Sequence, residues 1–121
     1  HYHIEIPYTV EIGGGFSMDH AYNITINSRA KIGKNVTMYK GATIGCDTEG
    51  APVIGDLAYI GLNAVIVGKV TIGDDVLCAA NSFINFCVPD HSVVLGNPGR
   101  IHAKKNATAG YLLNIVRRTD E

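Results

Sequence analysis

Five histidines hold most of the acid–base chemistry available to this sequence: His1, His3, His20, His91 and His102. Imidazole ordinarily titrates near neutrality, so it is suited to take and return a proton at physiological pH. Competitors are few, because the surrounding residues are mainly Ile, Val, Gly and Asn and only 17% of the chain is charged. His20 stands in Met18-Asp19-His20-Ala21, two positions past an apolar residue, which places it near a corner on the outer surface of the repeating structure derived below. Glu5 lies fifteen residues earlier, close to one turn of that structure. A carboxylate bonded to one imidazole nitrogen fixes the tautomer and raises the basicity of the other, as a general base requires. The expected pair is therefore His20 with Glu5. Cys46, Cys78 and Cys87 are odd in number and form no Cys-x-x-Cys pair. Cys78 falls in a core phase, where a reduced thiol packs as a small hydrophobe.

The elements that must carry these residues announce themselves by period. Apolar residues recur every six positions at Ile6, Ile12, Met18 and Ile24, then at Ile26, Ile32, Met38 and Ile44, then at Ile54, Ile60, Ile66, Ile72, Cys78 and Ile84. A second small or branched residue follows four positions later, as at Ala30, Val36, Ala42, Ala58, Ala64, Val70, Val76, Ser82 and Val88. Neither a helix nor a two-faced sheet repeats at six; a parallel β-helix does. Each hexad supplies a short strand with one inward side chain and a turn, and three hexads close a triangular coil. Coils stack at about 4.8 Å, so each isoleucine lands on another. The Gly, Asn and Asp after the strands, as in Ile32-Gly33-Lys34-Asn35 and Ile72-Gly73-Asp74-Asp75, suit turns that need positive φ or side-chain self-bonding. The expectation is an all-β chain, a parallel β-helix over residues 1–103 and a tail over 104–121. Within the tail, Tyr111-Leu112-Leu113-Asn114-Ile115-Val116 is expected to cover the open end or a neighbour as a short helix or strand.

Two places break the phase, and breaks in a repeat are where function tends to sit. One is the slip between Ile24 and Ile26; the other runs from Gly45 to Val53, four residues beyond a whole hexad. An insertion in a solenoid has room only to bulge outward as a loop. After Asp90 the repeat is expected to decay through Asn97-Pro98-Gly99-Arg100.

Composition limits the classes of function. At 121 residues with 7% aromatic content and no Trp, one domain with a narrow apolar column fits better than a broad globular core. A formal net charge of −1 offers no basic face for nucleic acid. No apolar run approaches the roughly 20 residues that span a bilayer, and no secretion signal opens the chain, so the expected location is the cytoplasm. The sequence starts without Met inside a strand-like stretch, which is consistent with a further upstream segment.

The residues Glu5-Ile6 through Gly13, Asp19-His20-Ala21, Ile24, Ala30, Ile32, Val36 and Thr43-Ile44-Gly45 together resemble the β-helical domain of serine acetyltransferases. After the loop the resemblance continues through Pro52, Ile54-Gly55, Ile60-Gly61, Ala64, Gly68, Ile72-Gly73, Ser82, Val88-Pro89 and Gly96-Asn97-Pro98-Gly99-Arg100. The hexapeptide pattern is common to many acyltransferases; Asp-His placed a coil before Thr-Ile-Gly is more selective. The resemblance implies a left-handed β-helix, the known exception to right-handed crossovers, and an acetyl-CoA-dependent O-acetyltransferase needing no metal. His20 then acts as general base beside Asp19, with Glu5 where the family has an aspartate. Backbone N–H groups near Gly45 and Cys46 bind the oxyanion. Acetyl-CoA lies in a groove between subunits of a homotrimer, against Gly61, Leu62, Ala79, Ala80, Asn97, Pro98 and Arg100. Arg100 and Lys104 or Lys105 meet its phosphates.

Departures from the family shift the expected acceptor. Serine acetyltransferases carry a longer glycine-rich loop with a second histidine before the proline, and a helical N-terminal domain. Here Ala51 precedes Pro52, the loop is short and acidic with Asp47 and Glu49, and this sequence contains no such helical part. The expectation becomes a small-molecule or glycan acceptor, foremost the hydroxyl of a sugar or surface-polysaccharide precursor; the alternative is serine, as in cysteine biosynthesis. The γ-type carbonic anhydrases share the architecture but hold zinc with three histidines, two of them five apart, and no spacing here fits. A non-catalytic structural solenoid is the remaining reading.

Overall fold

The structure, a computed structural model, describes residues 3–112; His1 and residues 113–116 of the tail expectation lie outside them. Fifteen short strands, numbered in chain order, form three sheets among the described residues. Sheet A contains β1 (Ile4–Glu5), β4 (Ile24–Ile26), β7 (Thr43–Gly45), β10 (Val65–Val67) and β13 (Phe83–Ile84). Sheet B contains β2 (Glu11–Ile12), β5 (Lys31–Ile32), β8 (Val53–Ile54) and β11 (Thr71–Ile72). Sheet C contains β3 (Ser17–Asp19), β6 (Thr37–Tyr39), β9 (Tyr59–Ile60), β12 (Val76–Cys78), β14 (Ser92–Leu95) and β15 (Arg100–Ala103). The chain visits A, B and C in turn, about five times, in the left-handed β-helix expected from the sequence.

Register shows why the period is six. Ile26 pairs with Ile44, Ile44 with Ile66 and Ile66 with Ile84 on sheet A. Ile12, Ile32, Ile54 and Ile72 stack on sheet B, and Met18, Met38, Ile60, Cys78 and Val94 on sheet C. From Ile24 onward these side chains are buried and form one core with the corner residues Ala30, Val36, Ala42, Ala58, Ala64 and Val76. Each buried branched side chain contributes about 1.5–3 kcal/mol. The first coil is different: Ile4 and Met18 are each 37% exposed, because no coil lies beneath them among the described residues.

One edge keeps a constant length. At the turn from sheet B to sheet C, Lys34 N donates to Asp56 Oδ1 at 2.8 Å, Asp56 N to Asp74 Oδ1 at 2.7 Å, and Asp74 N to Asp90 Oδ1 at 2.7 Å. These rungs link residues 22, 18 and 16 positions apart, so successive coils differ in length while this edge stays in step. A Cβ on Gly33 would stand 2.6 Å from the Gly55 backbone, which is why glycine occupies that corner.

The length differences fall on the other two edges. The long coil contains the loop after β7, as expected. It folds on itself through Asp47, whose Oδ1 accepts from Glu49 N and Gly50 N, and it lies against Gly68 and Lys69 of the next coil. The short coil is a break that the periodic reading missed. Val88 bridges to Ile72 and takes over the sheet B column, where the sequence pattern had made it a corner residue. The repeat also outlasts Asp90: Val93 and Val94 of β14 pair with Leu77 and Cys78. Only β15 departs, running antiparallel to β14. Among the described residues no helix is long and apolar enough to cross a membrane.

Candidate active site

The slip noted between Ile24 and Ile26 resolves into an insertion of His20 and Ala21 at the edge between sheets C and A. Asp19 still pairs with Tyr39. Beyond the insertion Tyr22 O accepts from Gly41 N, as Lys40 O does from Asn63 N and Leu62 O from Asn81 N. Tyr22, Lys40, Leu62 and, by continuation, Ala80 are thus equivalent residues along this edge, and His20 and Ala21 are additional. His20 takes up the extra length in the left-handed region (φ 49), which lifts its side chain clear of the coil; it is 67% exposed. Its ring rests against Tyr39, centroids 5.3 Å apart. Asp19 Oδ1 stands 3.6 Å from Nε2, beyond hydrogen-bond reach. His20, Ala21, Tyr22, Ile4 and Lys40 line a hollow of about 560 Å3.

A second hollow, of about 500 Å3, continues along the same edge. Its lining comes from the outer face of sheet C (Tyr39, Tyr59, Leu77, Val93, Leu95), the corner (Gly61, Leu62, Ala79, Ala80) and the tail (Lys104, Tyr111). Tyr39 borders it and touches His20, so the two hollows meet at that ring. Tyr111 packs on Tyr59 at 5.4 Å between centroids. Burial raises the Tyr59 phenol above its ordinary value, helped by the charge of Asp19 and by Tyr39 and Tyr111, so Tyr59 stays a neutral donor at physiological pH. Small side chains at Ala79 and Ala80 leave the floor open. Gly61 has a different reason: a Cβ there would meet Cys78 O at 2.8 Å and Ala80 N at 2.9 Å, so the neighbouring coil demands the glycine.

No protein-family model matches the sequence. Individual relatives do. The chain is 36% identical over 102 residues to the serine acetyltransferase of Bacillus pumilus, covering 81% of this chain and 47% of that protein. It is 34% identical over 111 residues to that of Staphylococcus aureus, covering 88% and 52%. The Neisseria gonorrhoeae serine acetyltransferase superposes with a TM-score of 0.80 at 28% identity, over 89% of this chain and 44% of that one. Soybean serine acetyltransferase complexed with serine gives 0.74 at 33%, over 78% and 40%. The Brucella abortus enzyme in complex with coenzyme A gives 0.75 at 28%, over 80% and 40%. The chain belongs to the serine acetyltransferase-like hexapeptide-repeat acyltransferases. It spans about half the length of the relatives it matches.

Set against that family, the expected site residues divide. His20 and Asp19 are together at one corner, and Gly61, Leu62, Ala79, Ala80 and Lys104 line one groove. Glu5 is not brought to His20. It pairs in register with Thr25, beyond the corner, and its Oε1 is 3.0 Å from His3 Nε2. The reason is the inserted pair: Ile4 pairs with Ile24, a coil of twenty residues, so counting from eighteen misplaced the carboxylate. Gly45 and Cys46 lie at the far end of the sheet A strands, where Asn27 Nδ2 donates to Cys46 Sγ at 3.3 Å, and do not meet His20 within one chain. Asn97 and Pro98 form the turn after β14, outside the groove lining; Arg100 reaches its rim only through its pair with Leu95. Cys78 is buried, which pushes its thiol up to about 12 and makes it inert. Among the described residues no group of three His, Cys, Asp or Glu converges on a metal position, and His91 is bound instead to Asp75 at 2.7 Å.

Sequence reasoning missed Tyr39, Tyr59, Leu77 and Lys40. The available signal was phase: each stands one residue from a core position or just beyond a strand, on the outward side, and an unbroken outward run of large side chains on one sheet marks a face built to be covered.

Proposed function

We propose that this chain forms the acetyl-transfer half of an acetyl-CoA-dependent O-acetyltransferase, with L-serine as the acceptor. The observation that carries the reading is the inserted His20–Ala21 pair, which puts an imidazole that makes no hydrogen bond among the described residues at the junction of the two hollows. In this reading the groove of Tyr59, Leu62, Ala79 and Ala80 holds the pantetheine arm, and the hollow lined by His20 and Lys40 holds the acceptor. His20 accepts the proton of the acceptor hydroxyl as its oxygen forms a bond to the thioester carbon. The C–S bond then breaks, and the imidazolium returns the proton to the departing sulfur. Asp19 stabilises the imidazolium between those two events. The acetyl ester and coenzyme A leave.

Serine is favoured over a sugar because the matched relatives are serine acetyltransferases, one in complex with serine; none of them supports a glycan acceptor. Lys40, lining the His20 hollow, offers a cation for an acceptor carboxylate where the family's loop histidine is replaced by Ala51. Gly45 and Cys46 fit the oxyanion role if a second copy of the chain supplies them, as in a homotrimer with the groove between subunits.

The test is coenzyme A release from acetyl-CoA against serine, simple hexoses, N-acetylhexosamines and glycan fragments. Serine is expected to accelerate release, and His20→Asn to abolish the acceleration. Acceleration by a sugar alone overturns the acceptor; full activity in His20→Asn overturns the mechanism.

A further inference from the structure

The tail leaves β15 with Lys104 N donating to His91 O at 2.8 Å and then docks on a single carboxylate. Asp75 Oδ2 accepts from Ala107 N at 2.9 Å, and Asp75 Oδ1 accepts from Thr108 N at 2.9 Å and from Thr108 Oγ1 at 2.8 Å. The same Oδ2 is 2.7 Å from His91 Nδ1. Ala107 and Thr108 are 1% and 3% exposed, so this is a buried junction between chain segments 32 and 33 residues apart. Immediately beyond it, Tyr111 N donates to Thr108 O at 3.0 Å, and this turn sets the Tyr111 ring on Tyr59 at the edge of the groove.

We propose that Asp75 is a positioning residue for acetyl-CoA: by holding Ala107 and Thr108 it fixes the tail segment 104–112 as one wall of the cofactor groove. The inference rests on the reading of that groove as the coenzyme A site. Two lining residues, Lys104 and Tyr111, flank the docked pair in sequence, so releasing the pair removes both from the groove together. Asp75 sits on a different edge and is not among the residues lining the groove; its influence passes through the tail. Burial by itself would push the Asp75 carboxyl up, but the hydrogen bonds from His91, Thr108 and Ala107 outweigh it and hold the group down at about 2, so the docking carboxylate stays charged.

The experiment compares the full chain with Asp75→Asn, Thr108→Val and Thr108→Ser. Asn tolerates the left-handed backbone of position 75 (φ 55), so the corner survives. Hydrogen exchange at the Ala107 and Thr108 amides reads docking, and calorimetric titration with coenzyme A reads the groove. Asp75→Asn and Thr108→Val are expected to speed exchange at both amides and weaken coenzyme A binding about tenfold, the equivalent of ~1.4 kcal/mol. The KM for acetyl-CoA should rise with kcat at saturation little changed, and Thr108→Ser should restore both readouts. Unchanged exchange in Asp75→Asn overturns the docking role. Faster exchange with unchanged coenzyme A affinity overturns the wall. A wild-type chain that binds no coenzyme A refutes the groove reading itself, a failure distinct from the other two because exchange still responds to the substitutions.

Discussion

His20 and His91 occupy left-handed corners of the same solenoid, with φ of 49 and 54, and each has an aspartate beside it. Their side chains are similarly exposed, 67% and 57%. Yet Asp75 is 2.7 Å from His91 Nδ1, whereas Asp19 is 3.6 Å from His20 Nε2. His91 sits on the edge of constant length and is engaged in holding the tail. His20 sits in a two-residue insertion on the edge that carries the groove, with its ring on Tyr39. Residue type, backbone conformation and a nearby acid are therefore shared. What separates a structural imidazole from the proposed general base here is whether its nitrogens already have partners, and what lies within their reach.

That contrast is open to direct attack. Replacing His20 by Asn, which accepts the same backbone, should lower kcat by about 10²–10⁴-fold, the usual contribution of a positioned general base, with the thermal midpoint nearly unchanged. Equal losses in His20→Asn and His91→Asn, by the same coupled thiol assay, would erase the distinction. Lys40→Met should raise the KM for serine about tenfold and leave a neutral hydroxyl acceptor unaffected; an equal change for both would deny Lys40 its charge-reading role. His91→Asn should remove one hydrogen bond to Asp75, costing about 1–3 kcal/mol of tail docking, seen as faster amide exchange at Thr108 while kcat at saturating acetyl-CoA holds. The smallest effect near neutrality is that of pH on the tail. The Asp75 carboxyl is lowered from 3.8 to about 2, so its stabilisation is complete above about pH 4 and is lost as pH falls through about 2. Exchange at Thr108 followed from pH 6 to 2 should show protection surviving until the most acidic points; early loss, near pH 5, would mean that another group holds the tail.

Much of the fold was legible in the residue pattern. One inward side chain per hexad, stacked coil on coil, makes the period a direct image of the core, and every column from Ile24 to Cys78 follows it. The pattern failed at Val88 because it stands four residues after Ile84, where a corner residue is due, while a strict count of six puts the polar Asp90 in the core phase; that reads as the end of the repeat, although the coil has only shortened and Val88 fills the column. The site was less legible. His20 was findable because titratable residues are scarce, and the adjoining Asp19 came with it through the resemblance; the second carboxylate was misplaced, because arithmetic over an assumed eighteen-residue coil led to Glu5, which pairs with Thr25 instead. Tyr39, Tyr59 and Tyr111 converge only through stacking and the return of the tail, and no spacing encodes that.

The aspartate ladder from Asp56 to Asp90 sets a rule for how such a molecule tolerates change. Since each rung closes only if its six-residue turn keeps its length, this edge works as a ruler, and the other two absorb every gain or loss of residues. Segments grafted into 46–52 should be accepted at little thermodynamic expense, whereas a single residue added between Gly55 and Ala58 should throw all later coils out of alignment. The same ruler tells an engineer where a new binding loop belongs on this scaffold.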